Sequence, residues 1–166
     1  MCLVVYGERP KPMVAEEDII TYKVVRSERV FDWYPGKTDL YHLVRAGYTN
    51  KYFSPFISTE IAFDKLQTND DPAVIRPIFE DIWGIYGGTF HVFRYFDEAC
   101  HFAENSGLPD KLTVITAIIP KGTEYYRGWF GGSSGKYEAL ATRNVIYKDS
   151  VDIDNAKRNW TFTKND

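Results

Sequence analysis

Hydrophobic and polar positions alternate in short runs along most of this chain, and that period of two predicts strands. Residues 19–26, Ile-Ile-Thr-Tyr-Lys-Val-Val-Arg, form the first such run; alternation puts Ile20, Tyr22, Val24 and Arg26 on one face. Residues 52–63 read as extended and bent by Pro55, residues 89–93 as a strand, and residues 111–119 as a continuous apolar strand. Tyr125 and Tyr126 begin another extended piece, and residues 137–147 form the last clear strand. Two stretches take the helical period instead. Asp70-Asp71-Pro72 reads as a capped start with Pro at the first helical position, followed by Val74, Ile75, Ile78, Phe79 and Ile82. Pro77 either kinks this helix or begins it. A second helix runs from about 96 to 106, with Phe96, Ala99, Cys100 and Ala103 as its inner stripe and Gly107 as its stop.

Strands that outnumber helices and mostly follow one another predict an α+β fold. Its antiparallel or mixed β-sheet carries two main helices. The 166 residues make one domain, with an irregular N-terminal arm over 1–18 and a polar C-terminal segment over 149–166. The expected core joins Val24, Phe79, Phe90, Ala99, Cys100, Ile115 and Ile118. Residues 128–135 read as a Gly/Ser loop that carries Trp129 and Phe130 and is mobile until it binds something.

Composition changes this picture in one respect. Aromatic residues make up 16% of the chain, which fits a sheet-rich protein. Net charge is −3, so no global basic field attracts a phosphate backbone, and nucleic acid is a disfavoured partner. The two cysteines, Cys2 and Cys100, give no disulfide framework and suit a reducing cytoplasm. No secretion signal precedes Cys2, and no apolar run approaches the roughly 18 residues of a membrane span.

Few residues announce chemistry. Gly135-Lys136 resembles the end of a phosphate loop, but Phe130 stands where the first glycine belongs and Tyr137 where the metal-binding hydroxyl belongs. His42, His91 and His101 share no zinc spacing with each other or with cysteine, so no metal site is expected. The aromatics Tyr125, Tyr126, Trp129 and Phe130 lie in or beside irregular segments, where large rings serve as binding anchors.

Two resemblances add expectations. Tyr22-Lys23-Val24, Ser54-Pro55-Phe56, Gly88-Thr89-Phe90-His91, Asp97-Glu98-Ala99 and the run from Ile119 through Pro120-Lys121-Gly122-Thr123 to Tyr125-Tyr126 resemble a family of short bacterial and phage proteins. That family carries no established activity. Arg26, Ser58-Thr59 and Glu138, in that order, are similar to ADP-ribosyltransferases of the Arg, Ser-Thr-Ser, Glu type. The second resemblance implies NAD as cofactor. Arg26 would hold its pyrophosphate, Ser58 would support the nicotinamide pocket and Glu138 would stabilise the oxocarbenium-like ribose. Glu60 and Lys136 depart from that pattern.

The leading expectation is a module that binds a protein or a small ligand through aromatic loops, using Tyr125, Tyr126, Trp129 and Phe130. The alternative is the NAD-using enzyme with Arg26, Ser58 and Glu138. A third is an anionic-ligand or nucleic-acid binder using Arg26, Arg45, Lys121 and Arg127, which the negative net charge opposes.

Overall fold

The computed structural model describes residues 3–27, 52–53, 60–105, 112–130, 137–149 and 151. Strand makes up 57% of these, and they contain a single short helix. The strands are β1 (Leu3–Tyr6), β2 (Met13–Val14), β3 (Ile19–Ser27), β4 (Tyr52–Phe53), β5 (Glu60–Ile61) and β6 (Leu66–Thr68). They continue with β7 (Ile75–Phe79), β8 (Ile82–Ile85), β9 (Phe90–Phe93), β10 (Leu112–Ile119), β11 (Glu124–Phe130), β12 (Tyr137–Thr142) and β13 (Asn144–Lys148). The helix, α1, is Phe96–Asn105. The expected α+β fold with two main helices is therefore corrected to a mostly antiparallel β fold, with one helix among the described residues.

The lost helix is the stretch after Asp70. It forms the antiparallel hairpin β7–β8, paired Ile75 to Ile85 and Arg76 to Gly84. Isoleucines three and four apart satisfy helical spacing, but β-branched residues also suit a pleated surface. Asp81, at φ 59°, supplies the left-handed turn residue between the strands. Pro77 sits in β7 at the end of the sheet order, where a missing N–H is tolerated. Phe79 belongs to this hairpin and is 73% exposed, which removes it from the expected core.

The sheet order is β6-β13-β10-β3-β9-β12-β11-β1-β8-β7. Strands β10 and β12 flank the β3–β9 pair on opposite sides. Yet β10 leads through a turn at Pro120–Thr123 into β11, and β12 leads through Arg143 into β13. Since β10 pairs with β13 and β11 with β12, these four strands make one bent two-stranded ribbon. The ribbon joins the two sides, so the sheet curls around its inner face. Asn69 fastens the corner: its N–H donates to the Arg143 carbonyl at 2.9 Å, and its own carbonyl accepts from Arg143 Nε at 3.3 Å. Residues 137–147 are thus two strands that meet at the corner, where a single strand was expected.

Alternation then builds two cores. The inner face holds Val25, Val92, Ile115, Ala117, Ile119, Leu140, Val145 and Tyr147, all buried. The outer face holds Leu3, Tyr22, Val24, Phe93, Phe130 and Ala139, with Ala99 of α1 packed upon them. Val24 and Ile115, expected to be buried together, are buried on opposite faces. Phe90, Cys100 and Ile118 are only half-buried. On the inner face Thr21 Oγ1 donates to the Ala117 carbonyl at 2.6 Å, which satisfies a fully buried hydroxyl.

The arm expected to be irregular contains β2, which lies along β11, with Ala15 bonded to both Gly122 and Thr123. No helix of the described residues is long and apolar enough to cross a membrane.

Candidate functional site

Beyond the curled region, β11, β1, β8 and β7 extend the sheet as a flap. Cross-strand pairing builds a straight row on its inner-face side: Glu138 opposite Trp129, Trp129 opposite Val4, Val4 opposite Gly84, and Gly84 opposite Arg76. Directly paired residues project to the same side of a sheet. The next positions along give Tyr6 opposite Ile82, and Arg127 opposite Leu140.

This side of the flap is aromatic: Val4, at 7% exposure, and Gly84 are buried within the row, and exposed rings flank them. Tyr6 is 43% exposed and lies 5.9 Å from the half-buried Trp129, centroid to centroid, with the rings tilted by 57°. Tyr86, 47% exposed, lays its ring over Gly84: a Cβ added there would meet Tyr86 ring atoms at 2.7 Å. Gly84 is therefore the gap that lets the Tyr86 ring approach the sheet backbone. At the Trp129 end, Arg127 Nε donates to Glu138 Oε1 at 2.8 Å. The Arg127 side chain stays 57% exposed and that of Glu138 17%, so the guanidinium reaches solvent at the rim of the row while the carboxylate is mostly buried.

The outer face fixes the Glu138 backbone from behind. Glu98 Oε2 accepts the Glu138 N–H at 2.7 Å. Burial raises the Glu98 carboxyl to a pKa of about 7, against the lowering effect of that hydrogen bond; the charges of Asp97 and Glu138 add to the rise. One residue earlier, the Tyr137 hydroxyl lies 2.7 Å from His101 Nδ1. Burial, and then the charge of Glu98, push the Tyr137 hydroxyl pKa up. Glu98 and His101 lie three apart on α1, so one helix face holds both ends of this support.

The aromatics expected in loops are all strand residues. Tyr125, Tyr126, Trp129 and Phe130 belong to β11, so residues 128–130 of the expected Gly/Ser loop are strand. The reason is Gly128. It lies against β1, where an added Cβ would meet the Val4 carbonyl oxygen at 2.5 Å, so it serves close strand approach. Alternation then divides the four rings. Phe130 is 1% exposed in the outer core, and Tyr126 packs half-buried beside it. Tyr125 packs against the inner core and helps line a cleft of about 610 Å³ with Glu16, Glu17, Asp18 and Arg94. Only Trp129 reaches the open flap. Residues 131–136 lie outside the described residues.

Of the transferase trio, Ser58 lies outside the described residues. Arg26 lies in β3 opposite Leu112 and Phe53. Tyr22 is in register with Phe93, and Phe93 with Ala139. Arg26 is four residues beyond Tyr22 in one direction, and Glu138 one residue beyond Ala139 in the other. At about 3.3 Å per residue their backbones are roughly 16 Å apart along the strands. Arg45, of the expected basic set, lies outside the described residues, while Arg127 is paired with Glu138. Among the described residues no group of three or more His, Cys, Asp or Glu could hold a metal ion.

Sequence reasoning named Trp129, Arg127 and Glu138, each for a separate reason, and gave no site role to Tyr6, Gly84, Tyr86, Glu98 or His101. The pattern Trp83-Gly84-Ile85-Tyr86 was the available signal: a glycine within a strand, followed two residues later by a ring on the same side. No family model matches the chain, and no curated protein or solved structure matches it.

Proposed function

We propose that this protein is a binding module that takes a small, flat-ringed ligand on the open side of the β11–β1–β8 flap. The observation that carries this reading is the row from Glu138 through Trp129 and Val4 to Gly84, with exposed rings on either side. Aromatic rings held against a sheet offer apolar area at small entropic cost, and stacking favours a planar partner. The Arg127–Glu138 pair supplies a charged donor and acceptor at one end, which fixes the orientation of a ligand that the rings alone would leave free to rotate.

The test is ligand mapping by heteronuclear NMR on isotope-labelled protein, with a set of monocyclic and bicyclic aromatic and saturated-ring fragments. Fragments that bind should shift the Trp129 indole N–H, the Gly84 amide and the Tyr6 amide together. Shifts confined to other residues, or none at millimolar concentration, overturn the reading.

A further inference from the structure

We infer that the cleft between the N-terminal arm and Arg94 binds a small zwitterion with an apolar body, of the chemistry of an apolar dipeptide. Its β11 residue is Tyr125, toward the other end of that strand from Trp129, so the inference does not rest on the flap.

The arm builds one side of this cleft. β2 runs beside the start of β11, Ala15 is bonded to both Gly122 and Thr123, and Asp18 Oδ1 accepts the Lys121 N–H at 2.8 Å. Residues 13–18 are thereby fastened along the turn between β10 and β11 before β3 begins at Ile19. Arg94 joins the lining from just past the end of β9. The enclosed volume, about 610 Å³, lies within the roughly 300–1,000 Å³ of small-molecule sites.

Charge is the first argument. Glu16, Glu17 and Asp18 line the cleft together with Arg94, yet none of them pairs with it. The Glu16 and Glu17 side chains are exposed and have no hydrogen-bond partner among the described residues. The half-buried Arg94 guanidinium lies 5.5 Å from the Tyr95 ring centroid and donates once, from Nη1 to the Ile20 carbonyl at 3.3 Å, which leaves its other donors unused. One cleft thus presents both signs of charge without joining them. A simple carboxylate would meet three like charges there, and a polyamine would meet the guanidinium. A zwitterion sets an ammonium at the arm and a carboxylate at Arg94, each in a charge-assisted hydrogen bond. A metal ion is the remaining cation, and no group of three or more His, Cys, Asp or Glu among the described residues could hold one.

The apolar lining is the second. Met13 and Val14 stand 40% and 56% exposed on the arm, with Ile19, Ile20 and Tyr125 half-buried in the same lining. Covering that surface favours a ligand with apolar side chains. In a free amino acid the two charges share one carbon. In a dipeptide a peptide unit separates them, so each reaches its own partner while the side chains lie on the apolar surface.

The experiment titrates leucyl-leucine, N-acetyl-leucyl-leucine, leucyl-leucinamide and diglycine at neutral pH, following the Ile20 and Tyr125 amides by heteronuclear NMR. Leucyl-leucine should shift both saturably. Acetylation removes the ammonium and amidation the carboxylate; each should weaken binding about tenfold, the loss of one charge-assisted hydrogen bond. Diglycine keeps both charges without the apolar body and should also bind more weakly. Glu16→Gln combined with Glu17→Gln should weaken leucyl-leucine about tenfold and leave the acetylated peptide's affinity unchanged, with the melting temperature preserved because both side chains are exposed. No shift with leucyl-leucine at millimolar concentration overturns the inference, as do equal affinities for the capped and uncapped peptides. Full affinity for leucyl-leucine in the double glutamine variant overturns it too, since the ammonium is then not held at the arm.

Discussion

Leu140 and Trp129 lie on neighbouring strands, project to the same side of one sheet, and meet different surroundings. Leu140 is 3% exposed because the bent ribbon brings Ile115, Ile119 and Val145 around it. Trp129 lies past the curl, half-buried, with the exposed Tyr6 as a ring neighbour. Arg127 and Glu138 stand at the boundary between the two. The contrast separates two uses of the same period-two pattern. In the closed half, alternation buries aliphatic side chains and specifies the fold. In the open half it aligns rings on a surface, at a cost in exposed apolar area that stability alone does not explain.

The largest expected effect is on the closed half. Leu140→Ala should destabilise the protein by about 2–4 kcal/mol, from lost transfer energy and an unrelaxed cavity. Phe79→Ala, in the flap at 73% exposure, should change stability by less than about 0.5 kcal/mol. Urea unfolding of both variants checks the pair. Comparable losses would show that the two halves form one packing unit.

Gly128 joins the halves, and its replacement should come next in size. In Gly128→Ala the new Cβ meets the Val4 carbonyl oxygen at 2.5 Å and the Leu3 side chain at 2.9 Å. Backbone cannot yield as a side-chain tip can, so β1 must move away from β11, at a cost of about 1–3 kcal/mol. Hydrogen exchange should then accelerate in β1, β8 and β7 while β3 and β10 keep their protection. Uniform acceleration would show that the flap does not open separately.

The closed half was legible in the sequence where both faces of a strand are apolar. Residues 19–26 and 111–119 allow no other reading, because a one-residue slip would still bury a side chain on each face. The hairpin after Asp70 was misread because Ile75, Ile78 and Ile82 keep helical spacing, and only the register shift between Pro77 and Phe79 and the pairing of β8 with β1 fit them to strands. The open half was legible only in pieces. Trp129 and Glu138 were named from unrelated arguments, and nothing local says that they are paired across strands. Tyr6 lies more than a hundred residues from Trp129 in sequence, so their meeting depends on long-range topology.

Titration distinguishes the supports behind the two halves. His91 projects from β9 to the outer face, its Nε2 buried without a partner, and burial followed by the Lys23 charge lowers its pKa to about 3 from 6.5. The folded protein thus holds fewer protons than the unfolded chain between these values. Stability from neutral His91 is complete above about pH 6.5 and is lost as pH falls toward 3. Glu98 has the opposite sign. Its raised pKa means that stability is complete below about pH 4.5 and is lost as pH rises to about 7. The two slopes oppose each other in the overlap, so stability should vary little there, falling in acid through His91. Glu98→Gln keeps an oxygen to accept the Glu138 N–H and removes the buried charge. It should stabilise the protein at pH 8 by on the order of 1 kcal/mol, discounted because the group is only half-buried. Melts at pH 5 and pH 8 check this. An equal effect at both values would show that charge is not the cause.

The smallest expected effect on stability falls at Gly84, and it tests the open half most directly. In Gly84→Ala the new Cβ meets Tyr86 Cε2, Cζ and Oη at 2.7–2.9 Å, the far end of a flexible side chain. The ring can swing away without moving the backbone. Gly84 does not hold a positive φ, so alanine fits its conformation, and the unfolded chain loses entropy worth about 0.4–1 kcal/mol in favour of folding. The lost contact between the ring and the sheet offsets this gain, leaving a net change within about 0.5 kcal/mol. The ring, however, must leave the row. Tyr86 aromatic resonances should move toward solvent-exposed shifts, with β1–β8 amide protection unchanged. Affinity for any ligand that spans Trp129 and Gly84 should fall, while a fragment held at Trp129 alone should bind as before. If the substitution costs as much as Leu140→Ala, the ring over Gly84 is a packing element of the fold and the open half is smaller than the row of residues implies.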